Sequence, residues 1–172
     1  MPMYGPERKA FFWNNAFGLT MLILAYVVLT ALRDFRDNFA VEIWGAVGYA
    51  DTPSIFALSE IPVAAVVLAF MASTIVIKSN RNAVLTHHWI IFAGAAIVAL
   101  ATLGFQAGAT GPLGWMIAVG AGIYMGYVPF NCILVDRMTA ALKTPGNAAF
   151  FMYLADASGY AGSVGLMLYK NF

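Results

Sequence analysis

Asp156 lies where water is scarce. It falls well inside the apolar run FFMYLADASGYAGSVGLMLY, residues 150–169. An ionised carboxylate at the centre of a membrane-spanning helix costs at least ~2.5 kcal/mol, so such a residue faces the interior of a helix bundle or a water-filled path. Tyr153, Tyr160 and Ser163 stand at −3, +4 and +7 from it. These are helical spacings that place their hydroxyls on one side of the helix, within reach of the carboxyl. A carboxyl in such surroundings takes up and releases a proton as its neighbours change, which suits a proton-coupling group. The alternative is an aspartate tied structurally to a neighbouring helix, through Asn131 or Arg137.

A second set of polar groups lies in GPLGWMIAVGAGIYMGYVPFNCILVDR, Gly111 to Arg137, where no charge precedes Asp136. Ala118, Gly122 and Gly126 recur every four residues, a small-residue stripe that lets another helix approach closely. Tyr124, Tyr127 and Asn131 fall on the other side of that helix as candidate contacts to a solute. Pro129 removes one backbone donor beside them and, with Gly122 and Gly126, forms a candidate hinge. A close-packed structural helix that tolerates a proline accounts for the same residues. Ala155, Gly159, Gly162 and Gly165 give the Asp156 helix a similar smooth surface, so the fourth and fifth spans are expected to pack together.

Other polar residues have plainer readings. Glu60 lies one turn inside the second apolar run, two positions before Pro62, as a helix-start or snorkelling acid or as the border of an outer cavity. His87 and His88 point about 100° apart on a helix and have no second ligand cluster, so an interfacial position is expected rather than a metal or haem site. Asn14, Asn15 and the pair Asp136-Arg137 read as interfacial anchors. Cys132 is the single cysteine, which excludes an intrachain disulfide and gives no metal site. HExxH, GxSxG, P-loop and cysteine-cluster motifs are all absent from the sequence, so neither an enzyme nor a bound cofactor is expected.

These residues are set in a chain built for lipid. Of 172 residues, 62% are hydrophobic and 10% charged, against about a quarter charged in soluble domains. The net charge of +1 provides no basic field for nucleic acid. Five runs are long enough to cross a bilayer as helices: 11–32, 55–77, 84–105, 113–135 and 148–169. The expected fold is therefore an all-α polytopic membrane bundle of five spans in a single transmembrane domain. Residues 33–54 form an interfacial segment with Trp44 at headgroup depth and an Arg33–Asp37 pair on a helix surface. Arg8, Lys9, Lys78, Arg81, Arg137 and Lys143 gather on one set of flanks, which places the N-terminus in the cytoplasm of a bacterial inner membrane. An odd set of spans ending at Lys170-Asn171-Phe172 suggests a fragment, or a chain that needs a second helical half or another copy.

The basic turn KSNRN, Lys78 to Asn82, follows the second span, and the fourth span is glycine-rich and proline-bent. With the N-in orientation, these features resemble half of a major facilitator superfamily transporter. The strings RDFRDNF, YVPFNCILVDR and YLADASGYAGS are similar to a family of bacterial multi-pass proteins of undefined function with a facilitator-like outline. The resemblance implies a C-terminal-half fragment, helices seven to eleven, and transport of a small solute through a cavity between two halves. Of the family's cytoplasmic-loop signature only Lys78 and Arg81 remain. The expected function is facilitator-like secondary transport with proton coupling through Asp156. The alternative is a non-transporting scaffold or sensor subunit whose small-residue faces bind other helices.

Overall fold

The computed structural model describes residues 5–142 and 148–172. The chain folds as helices α1 (Gly5–Asn14), α2 (Ala16–Asn38), α3 (Ala40–Ala46), α4 (Ser54–Thr74), α5 (Asn80–Gln106) and α6 (Pro112–Pro129), followed by a π-helical segment (Phe130–Leu134), α7 (Val135–Leu142) and α8 (Ala148–Asn171). No strand occurs among the described residues. Apolar runs of this length favour helices because lipid offers no partner for backbone N–H and C=O groups, which a helix pairs internally. Lys143, one of the basic flanking residues, lies outside the described residues.

Four helices are long and apolar enough to cross a membrane: α2, α4, α5, and the continuous helical stretch Pro112–Ala141 formed by α6, the π segment and α7. The fifth expected span, α8, has 24 residues but is not among the four. Asp156, its glycines and its tyrosines dilute its apolar character. Large apolar side chains such as Phe17, Leu68, Trp89 and Leu100 lie exposed on the outside of the helices, as expected where the solvent is lipid.

The first span differs from the expected 11–32 at both ends. Its helix breaks at Asn15, whose Nδ2 donates to the Phe11 carbonyl at 3.1 Å, and it restarts at Ala16. It then runs through Arg33, Asp34, Arg36 and Asp37 to Asn38. Charge does not end this helix, because Arg33 pairs with Asp34 and Arg36 with Asp37 and Glu60. The expected Arg33–Asp37 pair is replaced by these neighbours. Trp44 of α3 is 1% exposed and packs with Ile55 and Met116.

The stretch Pro112–Ala141 is the centre of the bundle. Half of its apolar window is buried, against 11–22% in the other three spans. Gly94 of α5 and Gly122 of α6 bring their backbones together, so that a Cβ on Gly122 would lie 2.6 Å from the Gly94 oxygen. Val63 and Val67 of α4 pack near Met125 on another side. The expected pairing of the fourth and fifth spans gives way to a different one, since α8 lies along α2. A Cβ on Gly162 would meet Val27 Cγ1 at 2.5 Å, and one on Gly159 would meet Thr30 Oγ1 at 3.0 Å. Small residues on α8 thus fit branched and aromatic residues on α2, a closer match than a second glycine face provides. Against the π segment α8 places Phe151, which stacks on Phe130 at 6.3 Å.

Candidate functional site

Tyr26 sits in mid-helix on α2, 2% exposed, with its hydroxyl between two acceptors. Asp156 Oδ1 of α8 lies 2.6 Å away and Asn131 Oδ1 of the π segment 3.0 Å away. A phenol has one proton to donate, so it serves one of these oxygens at a time. The shorter contact is the charge-assisted one, favoured while Asp156 is ionised. If the carboxyl gains a proton, its own O–H can donate to the Tyr26 oxygen and the phenol proton is free to turn to Asn131. A proton added at Asp156 would in this way be felt by the helix beside Pro129.

The π segment follows from Pro129. Proline lacks an N–H and crowds the carbonyl one turn back, so the ladder loses its regular partner there and resumes with a wider turn. The span stays continuous and the wider turn presents Asn131 to Tyr26. Gly122 and Gly126 lie within regular α6, where Gly122 meets α5 and a Cβ on Gly126 would come 3.0 Å from Leu29 Cδ2 of α2. The departure from α-helical geometry therefore falls after Pro129 and leaves both glycines inside regular helix.

Two further polar layers rise along α2 toward its C-terminal end. In the middle layer the Arg33 guanidinium lies 4.1 Å from the centre of the Tyr127 ring, which in turn stacks on Tyr26 at 5.6 Å. Arg33 Nε donates to Asp34 at 2.9 Å, and Ser163 Oγ of α8 donates to Asp34 Oδ2 at 2.6 Å. In the outer layer Arg36, almost wholly buried, donates to Glu60 of α4 at 2.6 Å and to Asp37 at 3.2 Å. Tyr124 Oη donates to Asp37 Oδ2 at 2.6 Å. From Tyr26 to Asp37 is eleven residues, about 16 Å of rise. Between the first two layers the buried Thr30 hydroxyl has no hydrogen-bond partner, nor has Arg36 Nε farther out.

Most of the expected site residues therefore meet, but around residues that pattern reading passed over. Tyr124, Tyr127, Asn131, Asp156, Ser163 and Glu60 are joined through Tyr26, Arg33, Asp34, Arg36 and Asp37. Tyr153 and Tyr160 do not join them. They are 75% and 62% exposed and point away from the seam. The α8 surface that meets α2 is centred on Ala155 and Gly159, and at 100° per residue this leaves Asp156 at its edge and the two tyrosines beyond it. Spacing from Asp156 alone placed them correctly beside it but on the wrong side of it. The signal for the missed residues was available: Tyr26, Thr30, Arg33 and Asp37 recur at helical spacing, with Asp34 beside Arg33.

At the other end of the bundle, Arg137 Nη1 donates to Asn80 Oδ1 at 2.8 Å and Asp136 is exposed. His87 and His88 lie in the first part of α5. Both Nδ1 atoms bond the carbonyl one turn back, Ala83 at 2.6 Å and Val84 at 2.8 Å, and His87 is 1% exposed. Among the described residues no group of three or more His, Cys, Asp or Glu could hold a metal ion.

A family model described as a family of unknown function, DUF5690, matches residues 1–172, the entire chain. The chain belongs to this family. No curated protein and no solved structure matches it.

Proposed function

We propose that this chain is part of a facilitator-like secondary transporter for a small solute, with the polar seam of α2, α6 and α8 as its path and Asp156 as the proton-coupling carboxyl. The observation that carries the proposal is the Tyr26 hydroxyl, midway along the apolar helix α2, bridging Asp156 and Asn131. Polar groups at that depth are costly and tend to mark proton and solute pathways. The seam holds four carboxyls, at residues 34, 37, 60 and 156, against the two guanidiniums of Arg33 and Arg36. That excess of acids favours a proton or a cationic group within it. In this reading α8 is the fifth span. It is amphipathic because one face meets the seam, and its glycines lie against α2.

The lysine and arginine distribution supports a bacterial inner-membrane location with a cytoplasmic N-terminus. A second helical half or another copy would enclose the seam on the side that Tyr153 and Tyr160 now leave open. The competing reading, a scaffold or sensor subunit rather than a transporter, draws support from that same exposed aromatic face. The two separate in vesicles holding the complete protein and a trapped pH-sensitive dye. Transport predicts that a panel of small solutes includes some that drive proton movement with their own. A scaffold predicts crosslinking of α8 cysteines to a partner helix with no movement of any solute.

A further inference from the structure

Three polar contacts tie α8 to α2 and α3, and they are spaced by two helical turns. Asp156, Ser163 and Lys170 stand seven residues apart on α8, which puts all three on one face. Asp156 Oδ1 accepts from Tyr26, Ser163 Oγ donates to Asp34 Oδ2, and Lys170 Nζ donates to Glu42 Oε2, each at 2.6 Å. The first two belong to the layers described above. The third lies beyond them, past the C-terminal end of α2.

Exposure grows along this row. Ser163 is buried, whereas the side chains of Lys170 and Glu42 are 32% and 62% exposed. Beyond Ser163 no residue of α8 is buried, and a Cβ on Gly165 would meet nothing within 4 Å. The last two turns of α8 therefore have no buried side chain to hold them, and Lys170 ties them to α3 by charge. The other side of this contact is fixed. Glu42 stands on α3, which the buried Trp44 anchors against Ile55 and Met116. Lys170 Nζ also lies 3.7 Å from the centre of the Phe39 ring, at the corner where α2 gives way to α3. One ammonium thus engages a carboxylate and an aromatic face of the same corner.

We propose that Lys170, with Glu42 and Phe39, is a latch across the mouth of the α2–α8 seam. Its release lets the end of α8 swing away from α3 and admits water and small charged solutes to Ser163 and Asp34. The inference rests on the reading of the seam as a path and names the contact that controls its opening. An exposed ion pair is worth at most about 1 kcal/mol, a factor of roughly five in an opening equilibrium, so this contact holds the mouth without locking it. Salt screens such a pair, which makes the opening sensitive to ionic strength.

A thiol at position 163 reads the opening. Cys132→Ser/Ser163→Cys protein in native membranes is treated with a small cationic methanethiosulfonate. Glu42→Gln and Lys170→Gln are each expected to raise the modification rate roughly fivefold. Higher ionic strength is expected to speed the parent protein and to leave both variants unchanged. The two variants alter the local charge in opposite directions, so an effect on the approach of the reagent would raise one rate and lower the other. Exchange of the pair, Glu42→Lys with Lys170→Glu, is expected to return the rate most of the way to that of the parent. Val164→Cys, in place of Ser163→Cys, is expected to stay unmodified with every one of these substitutions, as it does where the bundle keeps its fold. Equal rates at 163 in the parent and both single variants overturn the latch and leave the wet seam standing. A thiol at 163 that is unreactive in every variant overturns the latch and the path reading together. Opposite shifts in the two single variants, or an exchanged pair as fast as they are, also overturn the latch. Modification at 164 in the variants overturns it too, because the substitutions then loosen the whole bundle.

Discussion

Replacing Asp156 with asparagine is expected to lower solute-driven proton movement by at least ~tenfold and to make the remainder independent of pH. The size follows from one hydrogen bond to a charged group, worth about 1.5–3 kcal/mol. The Tyr26 hydroxyl donates to Asp156 Oδ1 at 2.6 Å and has Asn131 Oδ1 as its other acceptor at 3.0 Å. Asparagine keeps the size and an acceptor oxygen but cannot take up a proton. Tyr26 then remains in one arrangement at every pH, and the link from α8 to the helix beside Pro129 is lost. The variant is expected to accumulate in the membrane as the wild type does, because the α2–α8 packing at Gly159 and Gly162 does not involve the carboxyl. Asp156→Glu keeps the ionisable group and is expected to retain part of the activity. A wild-type pH profile in Asp156→Asn would remove this carboxyl from the coupling step.

The second large effect is on stability. Arg36→Met is expected to destabilise the bundle by about 3 kcal/mol, the lower end of the range for breaking a buried ion pair. Arg36 holds α2 to α4 through Glu60 and touches α6 through the Met116 carbonyl at 3.5 Å. Without it, Asp37 and Glu60 are left as neighbouring like charges. Their side chains remain 41% and 47% exposed, so water relieves part of the cost. The Gly120 backbone lies so close to this guanidinium that a Cβ there would stand 2.7 Å from Arg36 Nη2. Unfolding titrations in mixed micelles measure the loss, and adding Glu60→Gln to Arg36→Met is expected to recover part of it. An Arg36→Met protein as stable as wild type would show that the outer layer contributes nothing to assembly.

How much of this was legible in the sequence depended on the kind of signal. Length and apolarity determine helices strongly, and four spans lie close to where the runs place them. The misplaced boundary came from treating charge as a helix end. Arg33 to Asp37 continue α2 because each charge has a partner on its own helix or on α4 and α8, and partners across the bundle are invisible in a linear chain. Tyr26 was hidden for a related reason. An aromatic residue within an apolar run reads as lipid-facing until a carboxyl on another helix is known to reach it. Gly122 and Gly159 were recognisable as close-approach positions, but not which helix approaches each. That choice is made by side-chain volume on the opposing face: Gly94 and Val98 for Gly122, and Tyr26 and Thr30 for Gly159. The burial of His87 was not visible from its pairing with His88, because it follows from the packing of α5 on the rest of the bundle.

The central claim is that the α2–α8 seam becomes wet in a working protein, and one labelling experiment bears on it most directly. In a Cys132→Ser background, Ser163→Cys replaces a buried hydroxyl that donates to Asp34, while Val164→Cys places a thiol on the adjoining outward face, where residue 164 is 54% exposed. Native membranes are treated with a small, charged, membrane-impermeant methanethiosulfonate. The account predicts that the thiol at 163 is modified in the folded protein, through opening of the seam to water, whereas the thiol at 164 stays unmodified in lipid. A thiol at 163 that reacts only after denaturation would contradict it and leave the polar layers as dry structural ties.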